Sequence, residues 1–335
     1  MDDHITEFLK NAGWGHASAR PLAGDASNRR YHRLTHPDGR KAVLMDAPPH
    51  RGEDVRPFLS IAKHLRDTDL SAPEVFAADE TEGLLVLEDL GDALYARVLE
   101  SEPNRELAFY TAAIDALHHL HRLPPPDGLE AYDSSTMPDL GALAFEWYGN
   151  ETQHQDTAGP LRGALKRALE PFDGPPRVLV QRDYHAENLL WLGDREGVAR
   201  VGLLDFQDAR VGHPAYDIVS LLEDARRDVD PRTVKACLAH YIDISGSDPE
   251  EFQAAYATMG AQRNLRILGV FARLSLHFGK PHYVDLIPRV WAHLQTDLKH
   301  QHLANVADIA LNGLPEPTPA HLQDLKDRCG TIPML

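Results

Sequence analysis

Cysteine is scarce in this sequence: its 335 residues include only two, Cys237 and Cys329. The two stand far apart in the chain and lack the short spacing of a pair of metal ligands. Unpaired thiols are typical of a protein that works in a reducing compartment. We therefore expect two cysteines in the thiol form and no cysteine-based metal site.

Long apolar runs and positively charged residues are also scarce in this sequence. No run of signal-peptide or membrane-span length follows the acidic N-terminus, Met1 to His4, which indicates a cytoplasmic location. Lys and Arg together number 34 against 51 Asp and Glu, a formal net charge of −17. That balance argues against a general binder of nucleic acid or of anionic membranes. We expect no obligate protein partner either.

Two short apolar strands near the middle of the chain each lead into a carboxylate. The first precedes Asp183, and Asn188 follows five residues later. The second ends in Asp205 and Phe206. One carboxylate can accept a proton from a hydroxyl, while a second carboxylate and an amide oxygen hold magnesium against phosphates. Asp and Asn alone are common in turns, but this combination of spacing and strands favours phosphoryl transfer.

Asp183, Asn188 and the pair Asp205–Phe206 resemble the catalytic loop and metal-binding Asp of the aminoglycoside phosphotransferase-like kinases. Those enzymes share the protein-kinase fold but phosphorylate small molecules. The resemblance implies that Asp183 is the catalytic base and that Asn188 and Asp205 bind Mg²⁺. It also implies ATP as the phosphoryl donor.

Other segments narrow the resemblance. Residues 24–31, 43–49, 262–266 and 278–281 are most similar to the bacterial anomeric kinases of N-acetylmuramate and N-acetylglucosamine, which serve peptidoglycan recycling. The resemblance covers nearly the whole chain and implies phosphorylation of the anomeric hydroxyl of one or both sugars. Kinases of choline, homoserine or an aminoglycoside remain alternatives, as does a non-catalytic nucleotide-binding regulator.

The order of the sequence patterns predicts an α+β chain, and the resemblance implies that it adopts a two-lobed, protein-kinase-like fold. Residues 1–92 hold strand patterns around one large helix, which predicts an N-lobe with a small antiparallel sheet that covers the nucleotide. Residues 93–335 are mainly helical and are predicted to form a C-lobe with the catalytic loop and the substrate-binding region. The break at Gly91 and the change to helical composition set the boundary, and the chain is long enough for two cores.

The nucleotide is expected to meet a turn and a hinge. Ser27, Asn28 and Arg30 stand in and beside the turn after the first strand, where exposed amides and side chains can bind phosphate oxygens, although the turn holds one glycine rather than three. The resemblance places the hinge near residue 90. Backbone groups of Glu88 and Leu90 are expected to meet adenine there.

A lysine is missing from the third strand, where kinases of this fold usually place one against the phosphates. Met45 occupies the matching position, and Lys41 lies four residues away on the same face, roughly 13 Å at ~3.3 Å per residue. Arg29, Arg30 or Arg51 could neutralise phosphate instead, because the guanidinium fork suits phosphate. Solvated surface charge is the competing interpretation for each of the three.

Basic side chains gather between residues 260 and 300 of this otherwise acidic chain. Arg263 and Arg266 of this stretch, with His185 and Glu187 of the catalytic loop, are predicted to bind the acceptor. A basic lining suits a sugar that carries a carboxylate, such as the lactyl group of N-acetylmuramate. A polycationic aminoglycoside would require acidic residues instead.

Only eleven residues separate Asp205 from Asp217. Protein kinases need a longer segment there to hold a peptide, so the short link favours a small-molecule acceptor. Asp217 opens a helix and is expected to anchor the catalytic loop or to cap that helix.

Overall fold

The protein is described by a computed structural model, which covers residues 3–22, 28–149 and 154–333. The helices of these residues are α1 (Asp3–Asn11), α2 (Arg56–Asp67), α3 (Tyr95–Ser101), α4 (Glu106–His121), α5 (Met137–Leu143), α6 (His154–Leu169), α7 (Ala215–Leu222), α8 (Pro231–Ser245), α9 (Pro249–Leu276), α10 (Ile287–Asp297), α11 (Ala304–Gly313) and α12 (Pro319–Asp327). The strands are β1 (Ser18–Leu22), β2 (Arg30–Thr35), β3 (Lys41–Asp46), β4 (Val75–Asp79), β5 (Leu84–Glu88), β6 (Ala131–Tyr132), β7 (Val178–Val180), β8 (Leu189–Trp191), β9 (Val201–Leu203) and β10 (Arg210–Gly212). The predicted antiparallel sheet followed by a mostly helical remainder is confirmed.

The chain divides into two compact units. The first comprises residues 1–120 and 186–209, and the second comprises residues 121–185 and 210–335. The β8–β9 hairpin belongs to the first unit because Trp191 N donates a hydrogen bond to Ala93 O at 2.8 Å, just ahead of α3. The predicted lobe boundary near residue 92 stays a prediction, because it marks a change of composition in the sequence, whereas the two units are defined by contacts in the structure.

A five-stranded antiparallel sheet with strand order β1-β2-β3-β5-β4 forms the core of the first unit. Side chains directly opposite each other on antiparallel strands share a face of the sheet, and successive side chains alternate between faces. One face buries Leu34, Leu44 and Val86 against Ile5 and Leu9 of α1. The opposite face therefore carries the odd-numbered positions of β2 and β3, and it is this face that borders the candidate site.

Helix α9 is the central element of the second unit and packs against α5, α7 and α10. Gly269 lets α9 approach the end of α5, because a Cβ atom at this position would lie 2.2 Å from the carbonyl carbon of Leu143. A three-stranded sheet in the order β6-β10-β7 accompanies the helices. In the described ranges no helix combines the length and the apolar character that crossing a membrane requires. Cys237 and Cys329 are both thiols rather than halves of a disulfide.

Candidate active site

A cavity of about 740 Å³ lies in the first unit, within the size range of ligand pockets. Val43 of β3, Leu87 of β5 and Leu190 of β8 contribute apolar walls. Asn188 and Asp205, the two predicted metal ligands, line the same cavity. A single space thus offers an apolar surface for a flat base and oxygen ligands for a metal.

The β8–β9 hairpin brings the predicted metal ligands together. Asn188 directly precedes β8 and Asp205 follows β9, so the antiparallel register puts both at the same end of the hairpin. Leu204 N donates to Asn188 O at 3.0 Å and closes that end. Asn188 Nδ2 donates to Asp205 Oδ2 at 3.5 Å, and Gln207 Nε2 donates to Asp205 Oδ1 at 2.7 Å.

The backbone at Asp205 is held in an unusual conformation. Its φ of 57° lies in the left-handed region, which costs free energy for a residue other than glycine. The next residue, Phe206, is buried and stacks on Phe58 of α2 with ring centroids 5.0 Å apart. This packing fixes the chain on the C-terminal side of Asp205 and so sets the direction of its carboxylate.

The donor set at Asn188 and Asp205 fits Mg²⁺. Carboxylate and amide oxygens are hard ligands, and Mg²⁺ commonly takes one or two protein carboxylates together with substrate phosphates. In the part of the chain that the structure describes, no group of three or more His, Cys, Asp or Glu side chains could hold a metal ion by itself. The two residues would therefore bind the ion together with phosphate oxygens and water.

The predicted hinge residues Glu88 and Leu90 also line the cavity. The Glu88 carboxylate is engaged by Arg195 and by Arg66, the latter at 3.5 Å, and Glu88 N donates to Glu74 O at 2.7 Å. The side chain of Glu88 is thus committed to ion pairs within the unit. Recognition of adenine by the hinge stays a prediction, and it would depend on backbone groups.

The predicted phosphate-binding turn is described only in part. Ser27 lies outside the described residues. Asn28 is exposed, and it donates from its backbone N to Glu53 Oε1 and from Nδ2 to Arg51 O, both at 3.1 Å. These two bonds connect Asn28 to the segment that leads into α2. Phosphate binding by Ser27 and Asn28 stays a prediction.

Arg30 is exposed at the start of β2 and does not line the cavity. Its neighbours Arg29 and Tyr31 both line the cavity. The alternation of side chains along a strand explains the difference, because positions 29 and 31 share one face and position 30 takes the other. The predicted role of Arg30 in nucleotide binding stays a prediction, and its two neighbours become stronger candidates.

Asp183 belongs to the second unit and is surrounded by positive charge. Burial opposes ionisation of its carboxyl group, but nearby positive charges, with that of Arg266 the largest, outweigh burial and hold the pKa of Asp183 below its ordinary value. The carboxyl group is therefore ionised at neutral pH. An ionised carboxylate can accept a hydrogen bond and then a proton from a hydroxyl.

Asp217, in the first turn of α7, fixes the backbone that precedes Asp183. Its buried carboxylate accepts hydrogen bonds from Gln181 N at 2.6 Å and from Arg182 N at 2.8 Å. Arg182 has a left-handed φ of 73°, and Ser220 Oγ donates to its carbonyl at 3.2 Å. Burial raises the pKa of Asp217 to about 7, and the two backbone donors act in the opposite direction. These contacts correspond to the anchoring role that the sequence suggested for Asp217.

His185 and Glu187, predicted to bind the acceptor, differ in environment. His185 is 4% exposed, and burial lowers its pKa to about 4, so its ring is neutral near pH 7. Arg226 Nη1 donates to His185 Nε2 at 3.3 Å, since an arginine can only donate. Glu187 belongs to the first unit and lies 3.8 Å from Arg97 Nη2. Acceptor binding by both residues stays a prediction.

Arg263 and Arg266 are less alike than their spacing suggests. Arg263 is 3% exposed and donates from Nη2 to Ser220 Oγ at 2.9 Å, so it supports the helix that holds the catalytic loop. Arg266 is partly exposed, and its Nη1 donates to Tyr216 OH at 3.5 Å. Of the two, Arg266 is the better placed to meet a ligand, and it is the strongest of the positive charges that act on Asp183. Acceptor binding by either arginine stays a prediction.

The basic stretch between residues 260 and 300 is partly neutralised from elsewhere in the second unit. Arg289 forms an ion pair with Asp228 at 2.6 Å. A count of charges along the sequence could not reveal this partner, because 61 positions separate the two residues. Asp228 therefore offsets the charge of Arg289, whereas Arg263 and Arg266 act on Asp183.

Sequence reasoning missed Tyr31, Arg33 and Glu53, all of which line the cavity of the first unit. Alternation along β2 was the signal for the first two, because positions 29, 31 and 33 share a face. Arg33 pairs with Asp89 and Asp92 at 2.8 Å each. Glu53 carried no signal of its own in the sequence.

Comparison with known proteins agrees with this geometry. The model of the family described as "Phosphotransferase enzyme family" matches residues 18–255. The chain is 40% identical to an N-acetylmuramate/N-acetylglucosamine kinase of Caulobacter vibrioides, over 89% of this chain and 93% of that protein. It is 34% identical to a protein of the same name from Pseudomonas aeruginosa, over 94% and 95%. Among solved structures, a choline/ethanolamine kinase family protein from Mesorhizobium loti is similar with a TM-score of 0.62 at 15% identity, over 97% and 99%. This likeness confirms the predicted kinase-like fold.

Proposed function

We propose that this chain, which belongs to the phosphotransferase enzyme family, transfers a phosphoryl group from ATP to the anomeric hydroxyl of N-acetylmuramate and N-acetylglucosamine. The observation that carries the kinase part of the proposal is that Asn188 and Asp205 line the same cavity as Glu88 and Leu90. The choice of sugar is supported by the two relatives above, which carry that name and align over most of this chain.

The first unit would hold the nucleotide. The apolar walls and the hinge suit adenine, and Asn188 and Asp205 would hold Mg²⁺ beside the phosphates. Held by these two residues, the ion would supply positive charge against the phosphates and the charge that develops during transfer. The short hydrogen bond from Gln207 and the packing of Phe206 keep the Asp205 carboxylate oriented before any ligand arrives.

Asp183 would orient the acceptor hydroxyl and take its proton. The arginines around Asp183 lower its pKa and so make it a weak base. A weak base works best on an acidic hydroxyl. The anomeric hydroxyl of a sugar is more acidic than an ordinary alcohol, because the ring oxygen withdraws electron density from C1. The electrostatics of Asp183 therefore favour phosphorylation at C1.

Arg266 would pair with an acceptor carboxylate, such as the lactyl group of N-acetylmuramate. The same charge disfavours the cationic acceptors among the alternatives, choline and aminoglycosides. A non-catalytic regulator is disfavoured as well, because Asp183 is kept ionised and Asp205 is kept oriented, which a regulator would not need.

We further propose that the enzyme works in the cytoplasm and serves peptidoglycan recycling. Two cysteines that stay in the thiol form fit a reducing compartment. Sugars of this kind, released from the cell wall, would meet ATP there.

The test is ATP turnover by the purified chain with a panel of acceptors: both sugars, choline, ethanolamine, homoserine and kanamycin. We expect ADP release with the two sugars, and a fall of at least ~10²-fold for Asp183→Asn, the usual size of a general-base contribution. Asp243→Asn is the matched control, because that carboxylate is exposed in α8 and should be dispensable. Turnover with choline or kanamycin but neither sugar would refute the proposed acceptor.

A further inference from the structure

On the face of the sheet that borders the cavity, β3 supplies no cation to the cavity lining, because Lys41 at its first position is exposed and does not line the cavity. Met45 stands on this face, directly opposite Tyr31 on β2, and its side chain is 1% exposed. In kinases of this fold, a lysine on the third strand contacts the phosphates and is held by a glutamate from the neighbouring helix. Methionine is uncharged, so it can neither bind the phosphates nor pair with a glutamate. If the chain uses a nucleoside triphosphate, a cation from another position must contact the phosphates.

Arg29 lies on the correct face for this task. It stands two residues before Tyr31, so both side chains share the face that lines the cavity. Arg29 Nε donates to Glu53 Oε2 at 2.7 Å. The two side chains are only 13% and 11% exposed, so this ion pair is far better shielded from water than an ordinary surface pair.

Glu53 holds two parts of the site at once. It lies in the segment that leads into α2, and its second oxygen, Oε1, accepts a hydrogen bond from Asn28 N at 3.1 Å. One carboxylate therefore fixes both the arginine and Asn28, which stands two residues before β2. Its position next to α2 parallels that of the glutamate which holds the strand lysine in other kinases.

Arg29 lines the same cavity as the predicted metal ligands Asn188 and Asp205. Burial raises the pKa of Tyr31, and among the charges that act on this phenol are Arg29, which hydrogen-bonds to it, and Asp205. The charge of Asp205 thus acts on the same phenol to which Arg29 is hydrogen-bonded. Asp205 and Gln207 line the same cavity as Arg29.

The other arginines that line the cavity have different partners. Arg33 is paired with Asp89 and Asp92 beside the hinge. Arg97 is exposed and paired with Glu100 at 3.0 Å. Arg97 also lies 3.8 Å from Glu187, the neighbour of Asn188, but its side chain is 60% exposed, so water screens its charge. The better-buried Arg29 is therefore the best-placed cation.

We propose that Arg29, oriented by Glu53, binds the phosphate oxygens of the nucleotide in place of the missing strand lysine. The inference rests on the proposed function, since it takes a nucleoside triphosphate as the ligand of this cavity. Arg29 would touch the substrate, whereas Glu53 is a positioning residue. A guanidinium brings a planar set of donors that can hold two phosphate oxygens at once.

Calorimetric titration with adenosine, ADP and a non-hydrolysable ATP analogue tests the inference. Loss of a hydrogen bond to a charged group predicts that Arg29→Ala binds ADP and the analogue about 10- to 100-fold more weakly. Adenosine binding should stay within about 2-fold, because adenosine has no phosphate for the arginine to contact. Arg29→Lys should retain part of the affinity, and Glu53→Gln should lose less than Arg29→Ala.

Arg56→Ala is the matched control, because Arg56 forms an exposed ion pair with Asp54 in the same segment and does not line the cavity. Its affinities should equal those of the wild type. Equal losses for adenosine and ADP in Arg29→Ala would show a structural role and overturn the inference. If Arg29→Ala fails to fold, Arg29→Lys and Glu53→Gln decide, and wild-type ADP affinity in both would overturn it.

The proposed role of Arg29 and the proposed acceptor can be refuted independently of each other. Sugar phosphorylation by the wild type, together with undiminished nucleotide affinity in Arg29→Ala, would refute this inference alone. A wild-type chain that binds nucleotide through Arg29 but phosphorylates neither sugar would refute the proposed acceptor and support the inference.

Discussion

Replacing Asp217 by asparagine should separate stability from activity. The buried carboxylate of Asp217 has a pKa of about 7 against an ordinary value of 3.8. Between pH 3.8 and about pH 7, the folded state therefore keeps a proton on Asp217 that the unfolded state has released. Stability attributable to this proton is present below pH 3.8 and is lost as the pH rises to about 7.

The size of the effect follows from the shift. About three pKa units at 1.36 kcal/mol each give about 4 kcal/mol. The amide of Asp217→Asn does not ionise, so the variant should gain about 4 kcal/mol relative to the wild type between pH 4 and pH 8. Against this, the amide NH₂ would face one of the two backbone N–H donors from which Asp217 now accepts, which costs about 1–3 kcal/mol at every pH.

Catalysis should respond differently. The lost hydrogen bond releases Gln181 or Arg182, immediately before Asp183. A displacement of about 1 Å at a reacting group can lower the rate by about 10²-fold. We therefore expect a variant that is at least as stable as the wild type at pH 8 but has a kcat lower by about that factor.

Denaturant unfolding from pH 4 to pH 8 and steady-state assays of ADP release measure the two effects. Asp243→Asn, at an exposed carboxylate in α8, should show no such change of relative stability with pH. If Asp217→Asn lost stability relative to the wild type as the pH rose, the sign of the pKa shift would be wrong. A wild-type kcat in that variant would show that the two hydrogen bonds do not position Asp183.

Three further variants test the site. Asp205→Ala should abolish turnover at any Mg²⁺ concentration while the fold persists by circular dichroism, since the loss falls on phosphate charge neutralisation; wild-type-like turnover would remove Asp205 from the metal site. Asp183→Asn should keep nucleotide affinity by calorimetry while kcat falls by at least ~10²-fold; the reverse pattern would make Asp183 a structural or metal residue. Arg266→Ala removes the strongest positive charge acting on Asp183, so the pKa of Asp183 should rise and the acid limb of the kcat/KM profile should move to higher pH. Arg266→Ala should also impair N-acetylmuramate more than N-acetylglucosamine, and equal losses would exclude the carboxylate contact.

The parts of the site that could be predicted are those set by local sequence. Asn188 and Asp205 flank a two-stranded hairpin whose register places them together, so a short pattern of strand and loop was sufficient. Asp217 was also recognisable, because its position at the start of a helix beside the catalytic strands suggested an anchor. Asn188 and Asp205 meet because only a short hairpin separates them, whereas Asp217 was recognised from its place in a helix although 36 positions separate it from Gln181.

Other parts depend on contacts between distant segments. The choice between Arg29 and Arg30 turns on which face of β2 each side chain takes, and this depends on pairing with β3. Glu53 reaches Arg29 across 24 positions, and no periodicity in the sequence marks that contact. Burial of Arg263 against Ser220 is likewise set by helix packing, so the sequence could not show that Arg263 is less accessible than Arg266.

The measurement that tests the central claim most directly is phosphorus NMR of the product made from N-acetylmuramate and MgATP. Phosphorylation at C1 predicts a phosphorus doublet from coupling to the single anomeric proton, lost on mild acid treatment that liberates inorganic phosphate. N-acetylglucosamine should give the same pattern, and Asp183→Asn should give no detectable product in the same time. An acid-stable product whose phosphorus couples to two protons would be the 6-phosphate, and it would contradict the assignment of this chain as an anomeric kinase.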